Sequence, residues 1–216
     1  MAAGLGTRLG AAQPKAFVRV AGATLVEHAV TRALDCAATT QVVIVAPASH
    51  LGEAGALLSG HPRADDVTVV AGGRERSESV ALGLGALRDD VDVVLVHDAA
   101  RCLAPADLFD RLVAAVRAGH DAVVPGQPVT DTIKQVDERG HVVATPDRST
   151  LRAVQTPQAF RRPVLLAAHA SGADATDDAA LVERAGGTVL VIEGDELAFK
   201  VTTASDLERA ARILGS

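Results

Sequence analysis

The sequence predicts an α/β domain with a mostly parallel, twisted sheet that is flanked by helices on both faces. Fully apolar, β-branched runs at residues 41–46, 67–71 and 92–97 are typical of strands that are buried on both faces. Longer alanine- and leucine-rich segments with helical periodicity alternate with these runs. Because parallel strands need long crossover connections, this alternation indicates strand–helix–strand units. The length of 216 residues fits one domain, residues 1–216.

Each element has its own pattern in chain order. Helical periodicity predicts helices over residues 25–37, 50–59, 76–87, 105–118, 163–171, 177–185 and 205–214. Short apolar runs predict strands over residues 41–46, 67–71, 92–97, 122–125, 132–136, 141–145, 188–193 and 199–201. Pro105 is expected in the first turn of its helix, where its missing N–H costs nothing. Ser205 followed by Glu208 is a capping-box signature, which predicts the start of the last helix.

The alternation stops at residues 126–152, where no helix-length apolar periodicity is present. Two short strands joined by the turn-rich residues 137–140 predict a β-hairpin arm that projects from the domain. A projecting hairpin that carries apolar residues needs a partner surface. We therefore expect a homodimer that forms through the arm.

Composition excludes several classes of function. The net charge is −6 with no basic tract, and the chain has no Trp or Tyr to stack on bases, which argues against nucleic-acid binding. No apolar run approaches the ~20 residues that a membrane span needs, and no signal peptide is visible. The two cysteines, Cys36 and Cys102, fit no metal spacing, so we expect free thiols and a cytoplasmic location.

The glycine-rich stretch at residues 2–15 predicts a phosphate-binding loop. Gly4 and Gly6 let backbone N–H groups approach an anion, while Arg8 and Lys15 add two positive charges. The third glycine, Gly10, comes one position too late for a dinucleotide fingerprint, and Lys15 lacks the neighbours of a P-loop lysine. This pattern fits triphosphate binding for nucleotidyl transfer. The alternative is a solvated glycine turn with incidental surface cations.

Asp98 and Arg101 follow the predicted strand at residues 92–97. Because ligands of open α/β sheets bind beyond the carboxyl ends of the strands, Asp98 is placed to contact a Mg²⁺–phosphate complex and Arg101 a second phosphate. The alternative is a surface Asp–Arg pair that caps the next helix. His97 is expected to be a hydrogen-bonded structural residue.

Three further segments carry candidate polar groups. Gly73 and Ser79 stand where a glycine turn enters a helix and could read a base edge, or Ser77 could simply cap that helix. Lys200 lies between apolar neighbours near the end of a short predicted strand, which favours an anion partner. Arg148 follows the hairpin, where the alternative is a salt bridge to its neighbour Asp147.

Eight motifs occur along the chain in one order: Ala-Ala-Gly-x-Gly-x-Arg…Pro-Lys, Gly-Gly-x-x-Arg-x-x-Ser-Val, Val-His-Asp-Ala-Ala-Arg, Asp-Thr-x-Lys, Asp-Arg, Gln-Thr-Pro-Gln-x-Phe, Thr-Asp-Asp-Ala and Lys-Val-Thr. In this order they resemble the motifs of 2-C-methyl-D-erythritol 4-phosphate cytidylyltransferases, enzymes of the non-mevalonate isoprenoid pathway. The resemblance covers the whole chain. It implies a Rossmann-like nucleotidyltransferase fold with a projecting β-arm.

The resemblance also implies an activity and a set of site residues. The reaction would transfer CMP from CTP to the polyol phosphate and release pyrophosphate, with Mg²⁺ or another divalent cation. Arg8, Lys15 and Lys200 would be the catalytic cations, and Asp98 would contact the metal. Nucleotide contacts would come from Ala3, Gly4, Gly6, Gly73, Ser79 and Asp98. Acceptor contacts would come from Arg101 and Thr156, and from Thr132 and Arg148 on the arm of the other protomer.

Two departures from the family pattern leave alternatives open. The family carries an apolar strand immediately before the glycine loop, and only Met1 precedes Ala2 here, so we expect an upstream start or an impaired protein. Arg74 stands where relatives often carry a small or acidic residue, near the expected base and ribose. The alternative functions are a cytidylyltransferase for another polyol phosphate such as ribitol 5-phosphate, and a non-catalytic nucleotide-binding relative.

Overall fold

A computed structural model describes residues 1–2, 13–171 and 175–215 of the chain. Its α-helices are α1 (Leu25–Asp35), α2 (Leu51–Ala56), α3 (Arg76–Leu84), α4 (Ala106–Arg117), α5 (Arg162–Ala170), α6 (Asp178–Arg184) and α7 (Ala204–Leu214). Its strands are β1 (Arg19–Val20), β2 (Ala23–Thr24), β3 (Val42–Ala46), β4 (Val67–Ala71), β5 (Val93–Val96), β6 (Ala122–Pro128), β7 (Gln135–Val136), β8 (Val142–Ala144), β9 (Arg152–Val154), β10 (Gln158–Arg161) and β11 (Val189–Glu193). Four residues of the predicted loop, Ala3, Gly4, Gly6 and Arg8, lie outside the described residues.

The main sheet has the strand order β11–β6–β10–β5, and β9 pairs with the far end of β6. Strands β11 and β6 are parallel, as are β3 and β4 in a separate pair. Strand β10 runs antiparallel to both of its neighbours, so β5 and β6 point in the same direction. The α/β prediction is confirmed, with one antiparallel strand in the middle of the main sheet.

Helices cover both faces of this sheet because its strands are apolar on both sides. Val94 and Val96 of β5 pack in one cluster with residues of α3, α5 and α6. Val93 and Leu95 of the same strand pack in another cluster with residues of α4. This three-layer arrangement leaves the edge at the carboxyl ends of the strands open for polar groups.

An apolar slot lies between β3 and β5, and Met1 and Ala2 bridge its end. The Met1 amino group donates to the His97 carbonyl at 2.6 Å, and Ala99 N–H donates to the Met1 carbonyl at 3.1 Å. On the other side, Ala2 N–H donates to the Val45 carbonyl at 2.9 Å. These contacts have the pattern of a parallel ladder. The rest of the slot is a cavity of about 250 Å³ lined by residues 42–45 and 93–96 together with side chains of α1 and α3.

We expect an added segment of about five β-branched residues before Met1 to raise the melting temperature by roughly 5–10 °C. Each buried valine stabilises the fold by about 1.5–3 kcal/mol, and ordering its backbone costs about 1–2 kcal/mol. Burial lowers the pKa of the Met1 amino group, and a peptide N–H would keep its hydrogen bond without a buried charge. Thermal unfolding checks this, with a Gly/Ser segment of equal length as the control. Equal melting temperatures for the two extensions would contradict it.

Several sequence predictions differ from the structure. The predicted strand at residues 199–201 is wrong, because Val201 N–H bonds only the Ala100 carbonyl at 2.8 Å and no ladder forms there. The capping box of α7 is built by Thr203 and Asp206, two residues before the predicted pair. Pro105 is the N-cap of α4 and so precedes the first turn. Four strands, β1, β2, β9 and β10, have no counterpart among the predicted strands.

The hairpin arm is present as a two-stranded antiparallel ribbon formed by β7 and β8. All residues of both strands are exposed, and Val136, Val142 and Val143 each expose more than half of their surface at 53%, 57% and 58%. An isolated two-stranded ribbon is marginal in water, and the residues that the structure describes leave these valines uncovered.

Candidate active site

The candidate site forms at the carboxyl end of β5, where the chain leaves the sheet. His97 and Asp98 directly follow the last strand residue, Val96. Because β10 is antiparallel to β5 and Gln158 lies opposite Val96, the segment that leads into β10 arrives at the same edge. Thr156 of this segment is buried, and its Oγ1 accepts the Asp98 N–H at 3.0 Å. Asp98 and Thr156 are therefore neighbours although they are far apart in sequence.

The centre of the site is an ion pair between Lys200 and Asp98. Lys200 Nζ donates to Asp98 Oδ2 at 2.6 Å. Burial alone would raise the pKa of Asp98, but the charge and hydrogen bond of Lys200, aided by the Met1 amino group and Arg76, lower it to about 2. Asp98 is therefore ionised at every physiological pH. The Lys200 side chain is 46% exposed, so its ammonium can still meet a ligand.

His97 is a buried neutral side chain behind this pair. Burial, with the repulsion of the Met1 amino group, lowers the pKa of His97 to about 3. Its Nδ1 lies 3.1 Å from Thr156 Oγ1, and its ring packs edge-on against Phe109 at 5.1 Å between centroids. These contacts agree with the structural role expected from the sequence, because a neutral imidazole at this position cannot supply a charge to the site.

Arg101 joins three segments around the site instead of pairing with Asp98. Its Nη1 donates to the Ala198 carbonyl at 2.6 Å, and its Nη2 reaches the Val154 carbonyl at 3.3 Å. The sequence left a surface pair between Asp98 and Arg101 as the alternative. The structure instead pairs Asp98 with Lys200. Arg101 is half-buried, and its Nε finds no hydrogen-bond partner in the part of the chain that the structure describes.

The second glycine turn closes over the start of α3. Gly73 N–H donates to the Ser79 hydroxyl at 3.0 Å, and Arg74 N–H donates to Glu78 Oε2 at 2.7 Å. A Cβ at Gly73 would stand 2.3 Å from the Glu78 side chain, so glycine permits this close approach. The N-cap of α3 is Glu75, so Ser77 does not cap the helix. Gly73 and Ser79 are thus directly hydrogen-bonded to each other.

The remaining predicted residues belong to other segments of the chain. Lys15 begins a short 3-10 helix, Lys15–Phe17, whose Phe17 is buried in the core. Thr132 and Arg148 are exposed on the arm, where Arg148 donates to the Thr130 carbonyl. Asp147 bonds the backbone N–H of Ser149 at 3.0 Å, so the alternative of an Asp147–Arg148 salt bridge is not what forms.

One charged group beside the site had no separate role in the sequence analysis. Asp178 is fully buried, and its two oxygens contact side chains of two other helices. Oδ1 lies 2.9 Å from His169 Nε2, and Oδ2 lies 2.7 Å from Arg76 Nη2. The motif Thr-Asp-Asp indicated only a helix N-cap, and Asp177 does cap α6 through Ala180 N–H at 2.9 Å. Pairing of Asp178 with Arg76 leaves no local sequence signal.

Asp98 is the group that could contact a metal ion here. Within the described ranges, no three His, Cys, Asp or Glu side chains cluster as a metal site. Mg²⁺ in nucleotide-dependent enzymes is commonly held by one or two carboxylates together with substrate phosphates and waters. A single ionised carboxylate at the edge of the sheet fits that mode, and a cage made only of protein ligands does not.

The described residues have the features of an α/β protein that binds a phosphorylated ligand. The carboxyl end of β5 presents an exposed lysine beside an ionised carboxylate, and a glycine turn after β4 leads into the N-terminus of α3. Among the described residues, no helix combines the length and the apolar character that crossing a bilayer requires.

Comparison with known proteins identifies the family. The model of the family described as IspD, 2-C-methyl-D-erythritol 4-phosphate cytidylyltransferase, matches residues 1–216. A relative of that name from Nocardia farcinica is 50% identical over 99% of this chain and 91% of its own length. The chain is also 53% identical to a bifunctional enzyme IspD/IspF from Clavibacter michiganensis, with 99% of the chain matched, and spans 53% of that relative's length.

Solved structures agree with these relatives. A 4-diphosphocytidyl-2C-methyl-D-erythritol synthase from Anaerococcus prevotii superposes with a TM-score of 0.87 at 27% identity, covering 100% of this chain and 93% of the other. A 2-C-methyl-D-erythritol 4-phosphate cytidylyltransferase from Thermus thermophilus gives 0.78 at 33% identity, with 94% of each chain covered. The chain belongs to the family of 2-C-methyl-D-erythritol 4-phosphate cytidylyltransferases.

Proposed function

We propose that this chain is a nucleotidyltransferase that transfers CMP from CTP to 2-C-methyl-D-erythritol 4-phosphate and releases pyrophosphate. Family membership over residues 1–216 supports the reaction. We propose that the reaction takes place at the carboxyl end of β5, because Lys200 and Asp98 form a 2.6 Å ion pair there. Ligands of open α/β sheets bind at such an edge.

The chemistry asks the protein to neutralise charge and to position two polyanions. The attacking group is the phosphate of the acceptor, whose second pKa is near 6, so it is largely ionised at pH 7. A general base is therefore unnecessary, and the neutral His97 has no proton-transfer step to perform. The oxygen of the acceptor phosphate attacks the α-phosphorus of CTP, and pyrophosphate leaves with the bonding electrons. Cations that face the transferring phosphoryl group lower this barrier.

Lys200 is the described cation best placed for that task. We propose that Asp98 holds its ammonium at the edge of the sheet and that the exposed part contacts the acceptor phosphate. Because Asp98 stays ionised and Lys200 is kept in place by a 2.6 Å contact, the charge is preorganised before substrate arrives. Arg8 and Lys15 of the glycine loop are proposed to bind the triphosphate.

Nucleotide and acceptor are proposed to enter from opposite sides of this pair. Gly73 and Ser79 would contact cytosine from the glycine turn, with Ala3, Gly4 and Gly6 nearby. Arg101 and Thr156 would line the acceptor side, and the hydrogen bonds of Arg101 to two backbone carbonyls keep its guanidinium at that wall. Asp98 would also hold Mg²⁺ jointly with the phosphates of CTP. The metal ion, when bound, supplies further neutralisation of phosphate charge.

The arm is proposed to dock on a second copy of the chain. Its exposed valines need cover, and its polar residues Thr132 and Arg148 lie away from the Lys200–Asp98 pair of their own chain in sequence. In a homodimer with exchanged arms, Thr132 and Arg148 would complete the acceptor side of the partner's site.

We propose a cytoplasmic location because both cysteine thiols are free. Cys36 and Cys102 are both free and buried. Burial raises the pKa of each, that of Cys102 to about 11, so both stay protonated and unreactive. Unpaired thiols suit a reducing compartment.

Pyrophosphate release tests the proposed function. The purified protein is incubated with CTP and Mg²⁺ in three arms: with 2-C-methyl-D-erythritol 4-phosphate, with ribitol 5-phosphate and with no acceptor. Release that depends on the methylerythritol phosphate is the expected result. Faster release with ribitol 5-phosphate would assign another acceptor, and no release in any arm from folded protein would indicate a non-catalytic relative.

The pH profile distinguishes substrate ionisation from protein ionisation. We expect kcat/KM to fall below about pH 6, because the protonated acceptor phosphate is a poorer nucleophile. His97 and Asp98 have pKa values of about 3 and about 2, so neither titrates in that window. A phosphonate analogue of the acceptor, whose second pKa is higher, should move the acid limb to higher pH. If the acid limb stayed at the same pH with the phosphonate, a protein group and not the acceptor phosphate would be responsible for it.

A further inference from the structure

Asp178 is a buried carboxylate that ties together three helices beside the proposed site. It is 0% exposed at the start of α6, while its partners His169 and Arg76 belong to α5 and α3. Burial alone would raise the pKa of Asp178, but the His169 hydrogen bond and the Arg76 charge lower it. A buried charge of this kind is retained only with paired groups, so the three side chains form one unit.

The surroundings hold this carboxylate in a fixed position. His169 Nε2 lies 2.9 Å from Oδ1, and the His169 side chain is only 7% exposed. Next to it, buried Gln158 donates to Asp177 Oδ2 at 2.8 Å and accepts Ala179 N–H at 3.3 Å. These bonds fix the first turn of α6 against β10, so Asp178 presents Oδ2 to Arg76 from a rigid element.

Arg76 is the cation that this anchor holds. It is the first residue of α3, directly after the glycine turn that contains Gly73, and that turn is part of the proposed nucleotide site. Its positive charge is among the smaller causes that lower the pKa of Asp98 and of the Met1 amino group. The side chain is 36% exposed, and its Nη2 contacts Asp178 Oδ2, so the side chain meets both the buried carboxylate and solvent.

We propose that Arg76 contacts the triphosphate of CTP and that Asp178, oriented by His169, is the positioning residue that holds it there. The inference rests on the proposed function, because it assumes CTP at this edge of the sheet. Arginine presents a planar fork of donors that matches phosphate oxygens, provided the fork is kept in one orientation. The Asp178 ion pair at 2.7 Å holds the guanidinium in place by charge from the protein side.

Calorimetric titration with CTP, inorganic triphosphate and cytidine tests this assignment on two variants. Arg76→Lys keeps the charge but loses the fork, and we expect about tenfold weaker binding of CTP and of triphosphate, with cytidine unchanged. Asp178→Asn keeps the hydrogen bond to His169 but releases Arg76, and we expect binding at least about threefold weaker. Asp178→Asn also removes a negative charge, and this electrostatic effect alone would make triphosphate bind more tightly. Weaker binding by this variant would therefore show that Arg76 has lost its position.

Steady-state kinetics and a matched control complete the test. In both variants KM for CTP should rise while KM for the acceptor stays unchanged. The control is Asp92→Asn, which breaks the Asp92–Arg117 pair, 3.1 Å long, at the other end of β5 and should leave both KM values unchanged. CTP bound as tightly as by the unmodified protein in either variant would overturn the inference. If the unmodified protein released no pyrophosphate, the proposed function would fail, and the titrations would still decide the role of Arg76.

Discussion

The Lys200→Met substitution is expected to lower kcat by about 10²–10³-fold. Methionine keeps the length and apolar packing of the stem but removes the ammonium that Asp98 holds at 2.6 Å. Loss of one preorganised contact to charge that develops in the transition state costs this much in well-studied enzymes. Steady-state turnover with saturating CTP and acceptor measures the effect.

Stability should fall in the same variant, because the Asp98 side chain is only 17% exposed and loses the cation that keeps its pKa low against burial. Turnover is therefore compared only for protein that is shown to be folded. The matched control is Arg117→Ala, which removes a cation paired with Asp92 at 3.1 Å, remote from the site, and should keep full turnover. Near-normal turnover in folded Lys200→Met would remove Lys200 from the mechanism.

Two inactive variants are expected to restore activity when they are combined, because the arm is proposed to complete the partner's site. Arg148→Ala on the arm should lower turnover strongly by itself, as Lys200→Met does. Subunits mixed in equal amounts and allowed to exchange form half of their dimers as hybrids, and each hybrid has one intact site. We therefore expect recovery of about a quarter of the activity of the unmodified protein.

The outcome separates exchanged arms from arms that act within their own chain. If Arg148 served the site of its own subunit, every hybrid site would lack one of the two residues and no activity would return. Thr132→Ala mixed with Lys200→Met is the second pair, since Arg148 also bonds the Thr130 carbonyl and could alter the arm. Absence of recovery with both pairs, after exchange is confirmed by mass spectrometry of mixed dimers, would contradict the proposal.

Local patterns were sufficient to predict most of the fold. Apolar β-branched runs identify β3, β4, β5 and β11, although β4 and β11 are only half-buried, and helical periodicity identifies the helices to within a few residues. Strand β10 could not be predicted in this way, because Gln158–Arg161 has four residues with polar ends and is a strand only between β5 and β6. The run at residues 199–201 looks like a strand locally, yet within the described ranges its backbone bond from Val201 N–H to the Ala100 carbonyl does not extend into a ladder.

The site shows the same division between local and long-range information. The resemblance brought Asp98 and Lys200 together, and the structure places them in contact across 102 positions. Nothing local could have paired Arg76 with Asp178, because their contact depends on how α3 and α6 pack. The neutral state of His97 is likewise a consequence of burial, which only the folded chain supplies.

The fate of the α-phosphorus of CTP is the decisive test of the proposed transfer. The protein is incubated with Mg²⁺, 2-C-methyl-D-erythritol 4-phosphate and CTP labelled at the α-phosphate, and the products are separated. We expect all transferred label in the organic diphosphate formed with the acceptor, together with one equivalent of unlabelled pyrophosphate. Label in CMP through transfer to water, or intact CTP after prolonged incubation with folded protein, would contradict it.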